Sequence, residues 1–174
     1  TPSNSSAASD VYKRQAYIFI SITILSLVVL TGCTPRINAR EEAEDIVATV
    51  IEYINKRDSE GLIALFCEEV KENYELTADV DILFNMFDGE ITSYEVSAVA
   101  SGEKSELFGK SSYSITGIVE AYVDDKEYRI EVSKTIYNDQ KPQRVGITTV
   151  MAKDVNVKGM FFVGEVNVFT YGRR

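Results

Sequence analysis

Apolar positions follow three regimes along the chain. From Ala16 to Leu30 the run AYIFISITILSLVVL carries no charge. From Ala43 to Phe87 apolar residues recur every three or four positions, and beyond Gly89 the period falls to two. The middle regime predicts three helices. Asn38 and Glu41 stand at capping-box spacing, and Glu41, Glu42, Glu44 and Asp45 load the first turns with the charge that a helix dipole favours. This helix would bury Ala43, Ile46, Val47, Val50, Ile51 and Ile54, with Lys56 and Arg57 at its C-terminal end. Asp58 or Ser59 caps a second, with Leu62, Ile63, Phe66, Cys67 and Val70 on one face. A third starts near Asp79, turns Val80, Leu83, Phe84 and Phe87 inward, and stops at Gly89.

The last regime predicts strands. One run sets Tyr94, Val96, Ala98 and Ala100 against Ser93, Glu95 and Ser97. The next sets Tyr113, Ile115, Gly117, Val119, Ala121 and Val123 against Ser112, Ser114, Thr116 and Glu120. Asp124 and Asp125 turn into Tyr128, Ile130, Val132, Lys134 and Ile136, then come Val145, Ile147, Thr149 and Met151, and a last run from Phe161 to Thr170. The expected fold is α+β: three N-terminal helices packed on a curved antiparallel sheet of four to six strands.

The first regime is an address. Its fifteen uncharged residues fall short of the roughly 20 that span a bilayer core and match a signal-peptide h-region. Leu30-Thr31-Gly32-Cys33 directly follows and resembles the lipobox of bacterial lipoproteins. That resemblance implies cleavage after Gly32 and a diacylglyceryl group on the Cys33 thiol, with acyl chains that hold the chain at a membrane. The expected organisation is a signal peptide over 16–32 with its n-region lost, a tether over 33–40 and one domain over 41–172. Residues 1–15 read as an assembly scar, because Asp10 to Gln15 back-translates to what looks like a transposon end used to tag DNA for sequencing. The expected location is extracytoplasmic, anchored to the bacterial cell membrane.

Charge and composition then exclude chemistry. With 27 Asp+Glu against 18 Lys+Arg and a net charge of -9, the chain lacks the basic clustering that nucleic acid requires. It has no His, which removes Ser-His-Asp, Cys-His and His-ligated metal mechanisms, and its two Cys cannot build a four-thiolate zinc site. No metal and no cofactor are expected. Cys67, on an apolar helix face with no His to activate it, reads as a buried structural thiol.

The order of three helices and a sheet resembles the nuclear transport factor 2-like cone, a cystatin-like fold also used by ketosteroid isomerases. Glu41 to Phe66, Phe87-Asp88-Gly89-Glu90-Ile91-Thr92-Ser93-Tyr94, Tyr128-Arg129-Ile130 and Val145-Gly146-Ile147 are similar to a family of bacterial lipoprotein domains of unknown function, of the 5104 type. The resemblance covers most of residues 40 to 152 and implies fold and address. It carries over no catalytic residue.

In a cone, the sheet and the inner sides of the helices enclose the default ligand site. Tyr74, Phe84, Phe87, Tyr94, Tyr113, Tyr128 and Lys134 are the candidate lining residues, with core packing as the competing role for the aromatics. Lys134, in register with Ile130 and Val132, either pairs with a carboxylate or extends its ammonium to water at the rim. Glu120 and Glu131 alternate with the apolar set and are expected to face solvent, which argues against an acid-base pair with a Tyr. The expected function is a non-catalytic module that binds a small ligand or peptide. The alternatives are a homodimeric scaffold through the sheet face carrying Ser112, Ser114, Thr116, Ile118 and Tyr122, and an isomerase- or hydratase-like enzyme.

Overall fold

The chain divides into two units, Thr1–Ile37 and Asn38–Arg174. The computed structural model describes residues 37–105 and 111–165, so residues 1–15, the h-region, Leu30 to Cys33 and the last predicted run beyond Glu165 lie outside the described residues. All the elements below belong to the second unit.

Helix α1 (Ala39–Lys56) begins where the capping residues place it. Asn38 Oδ1 accepts from the backbone N–H of Arg40 at 3.3 Å and Glu41 at 3.5 Å, while Asn38 Nδ2 donates to Glu41 Oε2 at 3.3 Å. All six predicted inward residues are buried. The helix ends at Arg57, a non-glycine residue in the left-handed region (φ 54°) whose N–H reaches the carbonyls of Tyr53 and Ile54. Arg57 also donates from Nη2 to Phe87 O at 2.8 Å and from Nη1 to Phe84 O, serving carbonyls beyond its own helix.

The expected second helix is two. Helix α2 (Ser59–Ala64) is capped by Asp58, which accepts from Gly61 N–H at 2.8 Å, and α3 (Glu68–Asn73) follows after a break. At the break the backbone pairs elsewhere: Cys67 N–H donates to Ile147 O at 2.9 Å and Ile147 N–H to Leu65 O at 3.0 Å, a parallel bridge between Phe66 and Ile147. Gly146 permits this approach, since at φ 130° a side chain is strained and a Cβ would meet Cys67 N at 3.0 Å. A tertiary contact overrides continuous helical periodicity here. Helix α4 (Leu76–Asn85) starts ahead of Asp79, and Val80, Leu83, Phe84 and Phe87 are buried as expected.

Five antiparallel strands follow in the order β1-β2-β3-β4-β5: β1 (Ser93–Ser105), β2 (Ser111–Val123), β3 (Lys126–Asn138), β4 (Gly146–Asp154) and β5 (Phe161–Gly164). The result is an α+β layer of four helices and an open five-stranded sheet among the described residues. α1 crosses β2 closely at Gly117, where a Cβ would lie 2.9 Å from Val47 Cγ2. Ile115, Val119, Ala121, Val123, Tyr128, Ile130 and Val132 are buried beneath the helices, matching the predicted alternation.

Three register shifts break that alternation elsewhere. The shift between Val96 and Ala98 moves Ala98 and Ala100 to the outer face, opposite Ile118 and Thr116. A second, between Tyr113 and Ser114, falls near Ile136. The third leaves Thr148 as the extra residue, so that Val150 and Ala152 join the core while Thr149 and Met151 turn outward. Each extra residue reverses the face of everything after it.

Candidate functional site

An open groove of about 660 Å³ runs between α1 and the start of β1. Ala48, Ile51, Glu52, Asn55 and Lys56 form one wall, and the segment from Glu90 to Tyr94 forms the other. The α1 wall follows from helical spacing: 48, 51, 52, 55 and 56 lie on one stripe beside the buried one. Asn55 clamps the two walls together. Its Nδ2 donates to Ile91 O at 3.0 Å and its Oδ1 accepts from Ile91 N–H at 2.8 Å. Ile91 is buried, so this pair satisfies a backbone that would otherwise lack partners. Along the rim Lys56 bonds to Glu52, which raises the lysine's pKa. Tyr94 stands 42% exposed at the mouth. β1 pairs only with β2 among the described residues, so its other edge, at the groove end, meets no second strand among them.

The predicted lining residues separate. Phe84, Phe87 and Tyr128 meet in the core, the last two with ring centroids 4.8 Å apart. The Tyr128 hydroxyl donates to Met86 O at 3.2 Å, and burial raises its pKa. Tyr94 lines the groove, while Tyr74 is exposed beside a different depression. Tyr113 stacks on Tyr137 at 6.0 Å, and Lys134, across from Ile115, pairs with Glu42 of α1 at 3.3 Å. Both alternatives posed for Lys134 thus meet in one place: it is paired, and its side chain remains 28% exposed. Glu120 is exposed, whereas Glu131 is buried on the outer face and held by Arg129 at 2.9 Å.

The family match covers residues 49–158, the model being described as Domain of unknown function (DUF5104). The chain belongs to that family. No curated protein matches it. The DUF5104 span takes in the C-terminal part of α1, the Asn55–Ile91 clamp and β1 to β4.

Sequence reasoning missed three groups. Asn55 carries no distinguishing pattern in the sequence, and only the fold shows its amide bonded to the backbone of Ile91. Arg57 read as a dipole complement and instead joins α1 to the end of α4. Arg144, in a short 3-10 turn (Pro142–Arg144), binds Glu69 at 3.2 Å and also Glu165, beside a depression of about 450 Å³ that Cys67 and Tyr74 line. Nothing in the local sequence around Arg144 marks those partners. Among the described residues, no group of three His, Cys, Asp or Glu stands close enough to hold a metal ion. No described helix is long and apolar enough to cross a membrane.

Proposed function

We propose that the chain is a bacterial lipoprotein displayed outside the cytoplasm through an acylated Cys33, with a cone of the nuclear transport factor 2-like type serving as a non-catalytic binding module. Its ligand is a short peptide or small molecule taken into the groove between α1 and β1. The address rests on the uncharged run ending in Leu30-Thr31-Gly32-Cys33. The cone is supported by helices on one side of an open antiparallel sheet.

One observation carries the binding reading: a groove of about 660 Å³ whose two walls are clamped together, with an exposed tyrosine at its mouth and, among the described residues, an edge strand alongside. Aromatic and backbone groups of this kind hold an extended chain, which can add to a free strand edge. Ala48→Trp fills the groove from α1 without touching the core. Thermal melting of the full chain against a library of short peptides should find ligands that raise Tm, and this variant should lose the shift while melting unchanged alone. Ligands that stabilise both proteins equally overturn the groove. Mass spectrometry of the membrane fraction should find diacylglyceryl on Cys33, and an unmodified, uncleaved chain there overturns the address.

A further inference from the structure

The groove between α1 and β1 is one-sided in charge. The ionic groups that line it are Glu52, Lys56 and Glu90. Lys56 is engaged within its own helix by Glu52, which leaves Glu90 on the facing wall without a counter-charge. Glu90 is exposed and has no ion-pair partner among the described residues. The stripe of Asn55, Glu52 and Ala48 continues at helical spacing to Asp45 and Glu41, both exposed, so this wall grows more acidic toward the start of α1. The helix dipole accounts for Glu41 in the first turn, but its reach ends there. It gives no reason for Asp45, nor for Glu90, which lies between elements.

From this arrangement we infer that the groove takes a basic peptide, an extended segment whose Lys or Arg side chains answer Glu90 and Asp45. The inference rests on the groove reading above and adds the sign of its ligand. Tyr94 at the mouth offers a ring face to a cation, so a long basic side chain can lay its stem over that ring and carry its head to Glu90. Ala48, between Asp45 and Glu52 on the other wall, receives an uncharged side chain of the same segment. A metal ion fits less well, because no three acidic groups converge among the described residues. A small organic cation would satisfy one carboxylate and leave the edge strand unused, whereas a peptide backbone can engage both. The net charge of -9 attracts any cation at long range, so what marks the groove is dependence on Glu90 in particular.

The probes are three N-acetylated, C-amidated peptides of one pattern, Thr-Xaa-Val-Xaa-Val-Thr, in which Xaa is Lys, Gln or Glu, titrated calorimetrically into the full chain in detergent. The Lys peptide should bind at least tenfold more tightly than the Gln peptide, the Glu peptide should not bind, and the Lys advantage should shrink as salt rises. Glu90→Gln should remove most of that advantage and leave the Gln peptide unaffected. Glu72→Gln takes the same charge from an exposed position on α3, beside a different depression, and should change neither. A Gln peptide that binds as tightly as the Lys peptide, with Ala48→Trp abolishing both, keeps the groove and overturns its sign. A Lys advantage that survives Glu90→Gln, or that Glu72→Gln weakens equally, is general attraction to an acidic chain and overturns the proposal. A Lys peptide that does not bind overturns it as well, and the groove reading falls with it only if the wider peptide library also finds no ligand.

Discussion

The two faces of the sheet are built from the same strands and made of different material. Beneath the helices, β2 and β3 present Ile115, Val119, Ala121, Val123, Ile130 and Val132, all buried, and the polar tips on the same face are held, Tyr128 by its bond to Met86 O and Lys134 by its pairing with Glu42. On the other side the same strands present hydroxyls that bond across to one another, Thr116 to Ser133 at 2.9 Å and Ser114 to Thr135 at 3.2 Å, and further along Ile118 beside Glu131 and Glu120 beside Arg129. The inner face is committed to stability, because each group there has left water for a fixed neighbour. Along β2 the outer positions Ser114, Thr116, Ile118, Glu120 and Tyr122 are half-buried or exposed, so they can change with little cost to folding, whereas on β3 and β4 the outer positions Glu131, Thr149 and Met151 are buried.

Substitutions on the two faces should separate accordingly. Ile130→Ala opens a hole under the helices and should cost about 2–5 kcal/mol in denaturant unfolding, enough to remove much of the stability of a domain this size. Tyr128→Phe gives up the bond to Met86 O and should cost about 1 kcal/mol near neutral pH. Its signature lies at alkaline pH. The buried phenol has a raised pKa, so its contribution is fully present below the ordinary tyrosine value of about 10 and declines as pH rises past it. The variant should therefore lose less stability than wild type across that range, in unfolding curves taken at stepwise pH. On the outer face, Thr116→Val removes the bond to a half-exposed Ser133 and keeps the strand-favouring branch, so its cost should stay below about 1 kcal/mol. A loss as large as that of Ile130→Ala would erase the distinction between the faces. Smallest of all, Glu127→Gln should leave stability unchanged and lower the Tyr122 pKa toward its ordinary value, visible by NMR titration of that ring.

Much of this architecture was legible because local rules agree with the tertiary outcome. Asn38 with Glu41 marks the start of α1, its buried stripe follows helical spacing, and β2 alternates without interruption from Ile115 to Val123. Legibility ends where distant backbone intervenes. Phe66 and Cys67 continue a helical pattern, yet Ile147 takes their backbone groups, and only the glycine at 146 hints at the approach. The extra residue at Thr148 exchanges Met151 for Val150 in the core, because both side chains satisfy an alternating pattern and only the pairing decides between them. The groove was hidden for another reason. Aromatic residues attract attention to the interior, where Phe84, Phe87 and Tyr128 do pack, whereas the groove is bounded by a helix flank and by a segment between elements, held by an amide with no distinctive spacing.

The bridge between Phe66 and Ile147 has a consequence for the order in which the chain matures. It joins a stretch made early to a strand made late, so closing it requires a long loop to be ordered first, and its entropy cost falls due only when β4 docks. Until then the turn from Leu65 to Cys67 is free to stay coiled as part of one longer helix, as its own residues favour. The amide of Cys67 is thus a clock for completion: in pulse-labelled refolding it should acquire protection together with Ile147 and after the amides in the middle of α1.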